Sequence, residues 1–493
     1  MNPTGRQHSP LSAEERDRRW RDEVYVADGS PQLTLRSTLT GVLLGCMLAL
    51  SNLYAGLKTG WSFSIAITAC ILSFSFWRIL KLAKPGLRSP GILEDNCMQS
   101  TASAAGYTIV ALLVSAIPAY LMVTGVSIRA GWLILWIFFS AALGLMLFIP
   151  FKRQLVNDES LVFPSGVAAA ETLRGLHAKG TQPLRQARGL FAGMGLGALG
   201  SWLGTNNAFG WWRFPRIPDS LFVPGSISGV SLAPLTVGLD LAGVSLAGGA
   251  LIGIRISLWM LAGSSIVYLV LAPWLVSNLY VVGELSYRTV QNGFALWLGA
   301  SLMVGASLAD LFFQRHTMGR AFSGLWAILR GRSGSSADDP VAEIEMPDWW
   351  FLVGLGFCVI GLAVTGILAF AISPLSLLVA LILSLLFVVV ATRAVGETDL
   401  IPVGQLGKLA QLSFGGIAPR RLSTNLMATG MSVSSAACAA DLATNLKCGR
   451  LLGGNPRKQF QAQLLGTLAG ALVVVPAFYV LVPDVNLLGT AQL

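Results

Sequence analysis

The stretch LLVALILSLLFVVV, residues 377–390, contains no charged residue and predicts a helix that crosses a lipid bilayer. Two carboxylates follow it, Glu397 and Asp399, and after them come Pro402, two glycines and Lys408 in the segment ETDLIPVGQLGK. Proline removes a backbone donor, and glycine weakens a helix. Lipid cannot satisfy the carbonyls that such a break sets free, so a broken helix at membrane depth must line protein or a water-filled cavity.

The composition of the whole chain indicates a membrane protein. Of its 493 residues, 54% are hydrophobic and 12% are charged, and the mean hydropathy is +0.66. A soluble domain carries about 25% charged residues, so no soluble core accounts for this much apolar surface. We therefore predict a polytopic membrane protein whose surroundings are the lipid bilayer. The net charge of +10 follows from basic residues in the connecting segments and does not indicate nucleic-acid binding.

Apolar segments of spanning length, mostly about 17–25 residues, recur along the chain. They lie at 39–57, 61–80, 104–124, 131–150, 188–205, 232–250, 252–275, 293–313, 350–372, 374–394 and 460–482. Two weaker segments, 403–419 and 424–446, are rich in Gly, Ser, Thr and Ala and are interpreted as broken or tightly packed helices. The prediction is an all-α polytopic membrane fold with about 13 membrane segments, some of them broken or re-entrant.

Most Lys and Arg residues fall in alternate connecting segments, and this pattern predicts the orientation of the chain. These basic segments are the N-terminal tail and residues 78–88, 151–188, 314–332 and 447–458. With the spans given above, all of them lie on one side of the membrane. We therefore expect a cytoplasmic N-terminus and a multi-pass protein of the cytoplasmic (inner) membrane. Arg420 and Arg421 fall on the opposite side and do not fit this pattern.

The polar, Gly/Ser-rich segment 331–347 divides the chain after about eight spans. Short motif pairs suggest that the two parts are repeats: ILEDN (92–96) with GETD (396–399), and FPSG (163–166) with NPRK (455–458). Chance similarity of such short stretches is the alternative. The predicted organisation is a cytoplasmic tail at 1–35, a first transmembrane half at 36–314, a cytoplasmic linker at 315–348 and a second half at 349–493 that is incomplete in its spans.

Other chemistries find little support in the sequence. The six cysteines are scattered without a CxxC pair, and the three histidines fall in polar segments, so we predict neither a metal site nor a cofactor. No GxxxxGK[ST], HExxH or GxSxG motif occurs, and no set of catalytic residues emerges. Energy for uphill movement would therefore come from an ion gradient.

Three polar stretches within apolar surroundings each allow a functional and a structural interpretation. The segment NLYAGLKTG (52–60) is either a substrate-facing helix end or an interfacial cap with Lys58 extended to water. The GETD segment either holds a cation or a proton in a cavity or is a turn with solvated acids. The small residues of 425–441 favour tight helix packing, with Asn425 and Asp441 as the exceptions. The helix predicted after FPSG carries a surface Glu171–Arg174 pair.

At this point the sequence resembles the oligopeptide transporter family, in a bacterial branch close to the yellow-stripe-like metal-chelate transporters. The matching stretches include GILEDNCMQSTASAAG (91–106), FPSGVAAAETLRG (163–175), GETDLIPVGQLGKLAQL (396–412), NLMATGMSVSSAACAADLATNLKCG (425–449) and NPRKQFQAQLLG (455–466). The resemblance implies a secondary transporter, a proton-coupled symporter of small oligopeptides or metal chelates, built from two halves of about eight helices each. It also implies that residues 52–60, 94–106, 396–408 and 425–441 face a central cavity.

Residue chemistry and resemblance together give a candidate substrate and ion pathway. An ionisable group inside a membrane costs about 2.5–3.5 kcal/mol on insertion scales, so it persists where it has a partner or a function. The candidates are Asn52, Tyr54, Lys58, Glu94, Asp95, Asn96, Gln99, Glu397, Thr398, Asp399, Lys408, Asn425 and Asp441. We expect Glu397→Gln or Asp399→Asn to abolish gradient-driven uptake without affecting insertion.

Two departures from the family pattern define the alternatives. GETD is followed by Leu-Ile-Pro instead of an Asn-Pro, and by the repeat interpretation about three helices of the second half are missing. A truncated, transport-inactive chain or a passive channel is therefore one alternative. A polytopic membrane enzyme acting on a lipid-linked substrate is another. The sequence names neither the substrate nor the oligomeric state, a homo-oligomer included.

Overall fold

The computed structural model describes most of the chain. It covers residues 13–178 and 341–485, apart from 27–28, 61–64, 108–111, 159–160 and 342. Between these two ranges it covers 185, 188–189, 192–197, 199, 220–227, 230–232, 234–240, 249, 254–278 and 286–313.

The described residues are mainly helical. The helices are α1 Ala13–Glu23, α2 Leu35–Thr59, α3 Ala66–Ala83, α4 Ile92–Tyr107, α5 Ile117–Thr124, α6 Ala130–Phe148, α7 Pro164–His177, α8 Ile254–Ser265, α9 Ala272–Ser277, α10 Tyr287–Val290, α11 Leu296–Phe313, α12 Asp348–Phe370, α13 Pro374–Thr398, α14 Val403–Ile417, α15 Leu422–Leu452 and α16 Pro456–Leu481. A 3₁₀ turn, Ile149–Phe151, follows α6, and π-helical turns lie at Leu112–Ala116, Arg153–Asp158, Ile266–Leu271 and Gln291–Ala295.

Nine helical segments within the described ranges are long and apolar enough to cross a membrane. They include α2, α3, α6, α12, α13, α15 and α16, a segment from Ile92 to Thr124, and a segment from Ile254 to Val276. This finding confirms the predicted all-α polytopic class. The predicted break after residue 377–390 is also present, because α13 ends at Thr398 and α14 begins at Val403.

The chain forms two compact units. The first combines residues 1–187 with 307–493, and the second consists of residues 188–306. The first unit thus takes residues from both predicted transmembrane halves. All the candidate pathway residues belong to this first unit.

Helix α15 lies at the centre of the first unit. It is a continuous helix of 31 residues, and its most apolar stretch of 18 residues is completely buried. Its small side chains let neighbouring backbones approach closely. The closest approach is at Gly144 of α6, where an added Cβ would lie 2.0 Å from the Ser435 carbonyl oxygen. Of the two interpretations of segment 424–446, the structure therefore shows a tightly packed helix and not a broken one.

Helix α4 is held between two GxxxG pairs on different helices. On α2, a Cβ at Gly45 would lie 2.8 Å from the Cα of Ala102. On α16, a Cβ at Gly466 would lie 2.1 Å from the Thr101 carbonyl oxygen, and one at Gly470 would lie 2.4 Å from that of Ala105. Small residues at this spacing are a recurrent device for packing helices inside membranes. The polar residues of α4 are therefore fixed between α2 and α16.

The second unit contains α8–α10, most of α11 and two short antiparallel strand pairs. Ser220–Phe222 (β1) pairs with Gly238–Asp240 (β4), and Ser226–Ile227 (β2) pairs with Val230–Ser231 (β3). The predicted span at 232–250 is wrong for residues 238–240, which form a strand instead of a helix. The reason is local, because the missing side chain of Gly238 leaves room for the Leu221 carbonyl oxygen, 2.3 Å from where a Cβ would lie. The predicted span at 188–205 falls largely outside the described residues.

Candidate functional site

Three helices of the first unit, α4, α15 and α16, share a set of buried polar side chains that we call the polar row. Its members are Asn96, Gln99, Ser100 and Ser103 of α4, Asp441, Asn445 and Cys448 of α15, and Gln459 and Gln463 of α16. Within each helix they recur every three or four residues, the spacing that places side chains on one face. From Asn96 to Ser103 the row extends about 10 Å along the axis of α4. A continuous polar strip therefore lies inside helices of membrane-spanning length.

Asp441 occupies one end of the polar row. Its Oδ1 accepts a hydrogen bond from the Ser103 hydroxyl at 2.7 Å. Its Oδ2 accepts from the Gln463 amide at 2.5 Å and from the Asn445 amide at 3.1 Å. None of these three donors carries a charge. Burial of a carboxylate without a cation is costly, so this group is a place where a proton or a cation can be taken up.

The other members of the row bond to one another. The Gln99 amide donates to Asn445 Oδ1 at 2.6 Å, and the Asn445 amide donates to Gln463 Oε1 at 3.1 Å. Gln459 donates to the Ser100 hydroxyl at 2.9 Å, and the Cys448 thiol donates to Asn96 Oδ1 at 3.3 Å. The side-chain oxygen of Gln99 has no hydrogen-bond partner among the described residues. Because Gln459 also donates to the Asn445 carbonyl, all members of the row except the Asn96–Cys448 pair are joined in one network, which retains one unused acceptor.

Glu94 lies in the first turn of α4, next to the row, and is completely buried. It forms an ion pair with Arg36 and also accepts hydrogen bonds from the Thr34 hydroxyl at 2.8 Å and the Gly91 amide at 3.2 Å. The same guanidinium donates to the Arg88 carbonyl at 2.8 Å. The N-terminal end of α4 is therefore tied to the start of α2 by charge.

Asp95 is equally buried and faces His177 at the end of α7, with Nε2 of the ring 3.2 Å from Oδ2. The other ring nitrogen, Nδ1, lies 3.0 Å from the Leu173 carbonyl oxygen. Both nitrogens therefore face acceptors, and only the protonated ring can donate to both. Burial lowers the pKa of His177. The close contact with Asp95 and the charge of Asp95, together with the Leu173 carbonyl, raise it by more than burial lowers it, so the pKa lies above its ordinary value.

This contact predicts a pH dependence that belongs to His177. Because the pKa is raised in the folded protein, the contact stabilises fully below the ordinary pKa of about 6.5 and is lost as the pH rises through the raised value. His177→Gln can still donate a hydrogen bond but cannot titrate. Thermal unfolding of both proteins in detergent from about pH 5.5 to about pH 9 should show the wild type more stable only at the acidic end. A constant difference across that range would contradict the assignment.

The GETD segment does not join the polar row. Glu397 is exposed and pairs with Arg393 of its own helix at 2.9 Å. Thr398 is exposed too, and its hydroxyl donates to the Ala394 carbonyl at 2.8 Å. Asp399 accepts from the backbone N–H of Ser165 at 2.9 Å and from its hydroxyl at 2.5 Å. A carboxylate at the N-terminus of a helix satisfies an otherwise unpaired donor, so Asp399 caps α7.

Replacement of Asp399 separates this capping role from a role in ion movement. Asp399 has a left-handed backbone, with φ 66°, a conformation that asparagine tolerates better than alanine. Asp399→Ala should cost about 1–2 kcal/mol of stability through the lost cap, and Asp399→Asn clearly less. Thermal unfolding in detergent measures both. If Asp399→Asn abolishes uptake at unchanged stability, the carboxylate serves more than the cap.

The remaining predicted pathway residues lie apart from the row. Asn52 is buried and donates to the Gly106 carbonyl at 3.2 Å, whereas Tyr54 and Lys58 are exposed. Lys408 and Asn425 are half-buried and meet at one residue, Gln411. The Lys408 ammonium lies 3.4 Å from the Gln411 side-chain oxygen, and the Asn425 amide donates to the Gln411 carbonyl at 3.0 Å.

Comparison with known proteins decides the family. The family model described as OPT oligopeptide transporter protein matches residues 32–492. The chain belongs to the oligopeptide transporter family. The Saccharomyces cerevisiae protein YGL114W, which carries an oligopeptide transporter name, is 26% identical over 88% of this chain and 76% of its own. Metal-nicotianamine transporter YSL2 of Arabidopsis thaliana is 23% identical over 91% and 73%. Iron-phytosiderophore transporter yellow stripe 1 of Zea mays is 25% identical over 94% and 72%.

Family membership confirms the resemblance seen in the sequence. It also decides between a transporter and a membrane enzyme, because members of this family are transporters and not enzymes. The hypothesis of a membrane enzyme acting on a lipid-linked substrate is therefore set aside. Among the residues that the structure describes, no three His, Cys, Asp or Glu side chains lie together as metal ligands.

Several basic segments of the transporter contact one another. Asp17 of α1 is buried and pairs with Arg450 at 2.8 Å, while Arg153 lies 3.9 Å from the same carboxylate. Arg450 also packs over the Trp20 ring, at 4.8 Å from its centroid. Further along, Arg174 donates to the Leu451 carbonyl at 2.6 Å. These contacts agree with the expectation that the basic segments lie on one side of the membrane. That this side is cytoplasmic stays a prediction.

The linker predicted at 315–348 is described only at its end, at residues 341 and 343–348. There Glu345 forms an ion pair with Lys152 and accepts from the Asn157 amide at 3.0 Å. Burial raises the pKa of Glu345, but the charge of Lys152 and the hydrogen bonds lower it more, so the pKa lies below its ordinary value. The last residues of the linker are thus fixed to the segment that follows α6.

The proposed repeat finds partial counterparts in the structure. FPSG and NPRK both begin a helix with proline at the first position, α7 with Pro164 and α16 with Pro456. The two acid motifs differ, because ILEDN lies in the first turn of α4 and GETD in the last turn of α13. The surface pair Glu171–Arg174 forms as expected, at 2.5 Å. The repeat itself stays a prediction.

Sequence reasoning missed six of the nine residues of the polar row and both basic partners of the buried acids. The missed residues are Ser100, Ser103, Asn445, Cys448, Gln459 and Gln463, with Arg36 and His177. One signal was available, because Gln459 and Gln463 are four residues apart in an apolar helix, as are Asp441 and Asn445. His177 and Arg36 carry no such signal, since each belongs to a polar segment whose partner lies far along the chain.

Proposed function

We propose that this transporter is a proton-coupled symporter that carries small oligopeptides or peptide-like metal chelates across the cytoplasmic membrane. The observation that supports this most strongly is the polar row, a set of buried and mostly hydrogen-bonded polar side chains inside membrane-length helices. Polar groups at membrane depth are costly and mark solute or ion pathways. The relatives named for metal-nicotianamine and iron-phytosiderophore transport support the chelate class, and the family name supports the peptide class.

The chemistry of the row suits such cargo. Peptides and amino-acid chelates carry amides and carboxylates, which need both donors and acceptors. Asn96, Gln99, Asn445 and Gln463 supply both from side-chain amides. In the structure Asn445 bonds to both Gln99 and Gln463, and Asn96 accepts from the Cys448 thiol, so cargo that enters exchanges one set of hydrogen bonds for another. Such an exchange has a small net free energy, which suits a site that must release what it binds.

The buried acids next to the row give the pathway a way to open and close. We propose that the Glu94–Arg36 and Asp95–His177 pairs close the cytoplasmic end, since Arg36 also bonds to Arg88 in a basic segment. Charged pairs that separate when two helices part are a common element of such transitions. The exposed and half-buried candidates Tyr54, Lys58, Glu397, Thr398, Lys408 and Asn425, with Asn52, are proposed contacts for cargo outside the row.

Uptake by purified protein in liposomes tests this proposal. We expect labelled tripeptide or labelled metal–nicotianamine to accumulate when the outside is more acidic than the inside, and a protonophore to collapse the accumulation. Comparison of the two cargo classes at equal concentration identifies the class. Uptake that only equilibrates and never saturates would instead indicate a passive channel. An epitope on the N-terminus that is accessible in right-side-out vesicles would contradict the cytoplasmic orientation.

A further inference from the structure

We propose that Asp441 is the group that carries the coupling proton, and that Ser103, Asn445 and Gln463 transmit its state to α4 and α16. This inference rests on the proposed symport function. Its basis is geometric: Asp441 is 5% exposed, and its hydrogen-bond donors come from its own helix and from both neighbouring helices of the row.

Protonation must rearrange these bonds. The ionised carboxylate is an acceptor only, and all three partners donate to it. When one carboxylate oxygen binds a proton, that oxygen becomes an O–H donor. The partner that donated to this oxygen must then accept instead or lose the hydrogen bond. The two sides of the group differ in how they can respond. Oδ1 faces the Ser103 hydroxyl, which can rotate and accept, whereas Oδ2 faces amide N–H groups, which cannot accept.

We therefore assign the proton to Oδ1. A proton taken up from hydronium on the more acidic side forms the O–H bond there and leaves a water molecule, the Ser103 hydroxyl turns from donor to acceptor, and release of the proton to water on the other side reverses the change. The charge of the group is removed at the same time. Hydrogen bonds to a charged acceptor are stronger than those to a neutral one, so the bonds from Gln463 and Asn445 weaken. The junction of α4, α15 and α16 is thereby loosened where cargo would enter the row.

None of the described residues that donate a hydrogen bond to Asp441 is a cation. Two groups interact with it electrostatically, the Tyr107 phenol at the end of α4 and the Cys438 thiol on α15 itself. Asp399, at the end of α13, acts on the same phenol.

The remaining acids on the helices packed against α15 are engaged elsewhere. Glu94 pairs with Arg36, Glu397 with Arg393 and Glu171 with Arg174. Asp95 faces His177 at 3.2 Å, although neither of its carboxylate oxygens has a hydrogen-bond partner among the described residues. Asp441 is the acid among the members of the polar row, and its three hydrogen-bond donors are uncharged.

Two transport assays on the full chain in liposomes separate coupling from cargo binding. Gradient-driven accumulation requires proton movement. Counterflow, the exchange of labelled for unlabelled cargo at equal pH on both sides, does not. We expect Asp441→Asn to lose accumulation but to retain counterflow, and its counterflow to vary less with pH than that of the wild type, because the asparagine amide stays neutral while the Asp95–His177 pair is unchanged. Wild-type counterflow should vary with pH.

Two further variants complete the experiment. Asp441→Glu restores a titratable group and should recover part of the accumulation. Glu171→Gln removes an acid of α7 that is 61% exposed and is not a member of the polar row, and this variant should leave both assays unchanged. A protonated-carboxyl band in infrared difference spectra should grow as the pH falls and be absent from Asp441→Asn.

The outcomes distinguish the two proposals. Accumulation by Asp441→Asn at the wild-type level overturns the assignment of Asp441 and leaves the symport function intact. If Asp441→Asn unfolds at the wild-type temperature but loses both accumulation and counterflow, Asp441 is a cargo-binding residue, and its assignment as the proton carrier is overturned. Counterflow without accumulation in the wild type overturns the symport function and this inference with it.

Discussion

Gly144→Ala is expected to destabilise the transporter by about 1–3 kcal/mol, although alanine is the better helix former. The added Cβ would lie 2.0 Å from the Ser435 carbonyl oxygen and 2.7 Å from the carbonyl carbon, so backbone atoms of α15 must move. Helix α15 is itself largely buried among other helices, so such a movement disturbs further contacts. Thermal unfolding and the monodisperse fraction in detergent measure the effect.

The same helix provides a matched control. At Gly131 of α6, no atom lies within 4 Å of an added Cβ. Gly131→Ala should therefore leave stability unchanged or raise it by up to about 1 kcal/mol, as expected for an exposed helical glycine. Equal stability of the two variants would show that α6 and α15 do not approach each other as closely as the structure has them.

Arg36→Met is expected to cost about 3–5 kcal/mol, the usual penalty for removing one partner of a buried ion pair. Its partner Glu94 has a completely buried side chain, so the carboxylate would keep only the Thr34 hydroxyl and the Gly91 amide as donors. Glu94→Gln should cost less. In that variant Arg36, 28% exposed, retains the Arg88 carbonyl and its position 5.4 Å from the Trp77 ring centroid.

A double variant and an exposed pair serve as controls for this prediction. The combination of Arg36→Met with Glu94→Gln removes both charges and should be more stable than Arg36→Met alone. The pair Arg19–Glu23 in α1 is 64% and 57% exposed, and Arg19→Met should cost less than about 1 kcal/mol. Urea or thermal unfolding of the four variants gives the comparison. Additive losses in the double variant would mean that the two side chains do not interact.

Local sequence was sufficient for the class of the protein and for the break in one helix. Uncharged stretches such as 377–390 must be shielded from water, and only a helix satisfies their backbone within the segment itself. The break between α13 and α14 lies at residues 399–402 and has a local cause in the proline, whereas Gly404 and Gly407 lie within α14. The small residues of 425–441 likewise predicted close packing, and α15 shows it. Each of these properties depends on neighbours in the chain.

The partners of each acid depend on contacts that no local pattern contains. Glu397 and Asp399 looked like the centre of a pathway, but one is exposed and the other caps α7 from 234 residues away. Asp441 was one candidate among many, and its donors Ser103 and Gln463 come from helices at separations of 338 and 22 residues. The sequence by itself determined that this chain is a membrane protein of packed and interrupted helices, because hydropathy and backbone chemistry depend on residues that are neighbours in the chain. Only the tertiary structure decided which polar groups meet, because a buried charge is set by partners that distant segments bring to it.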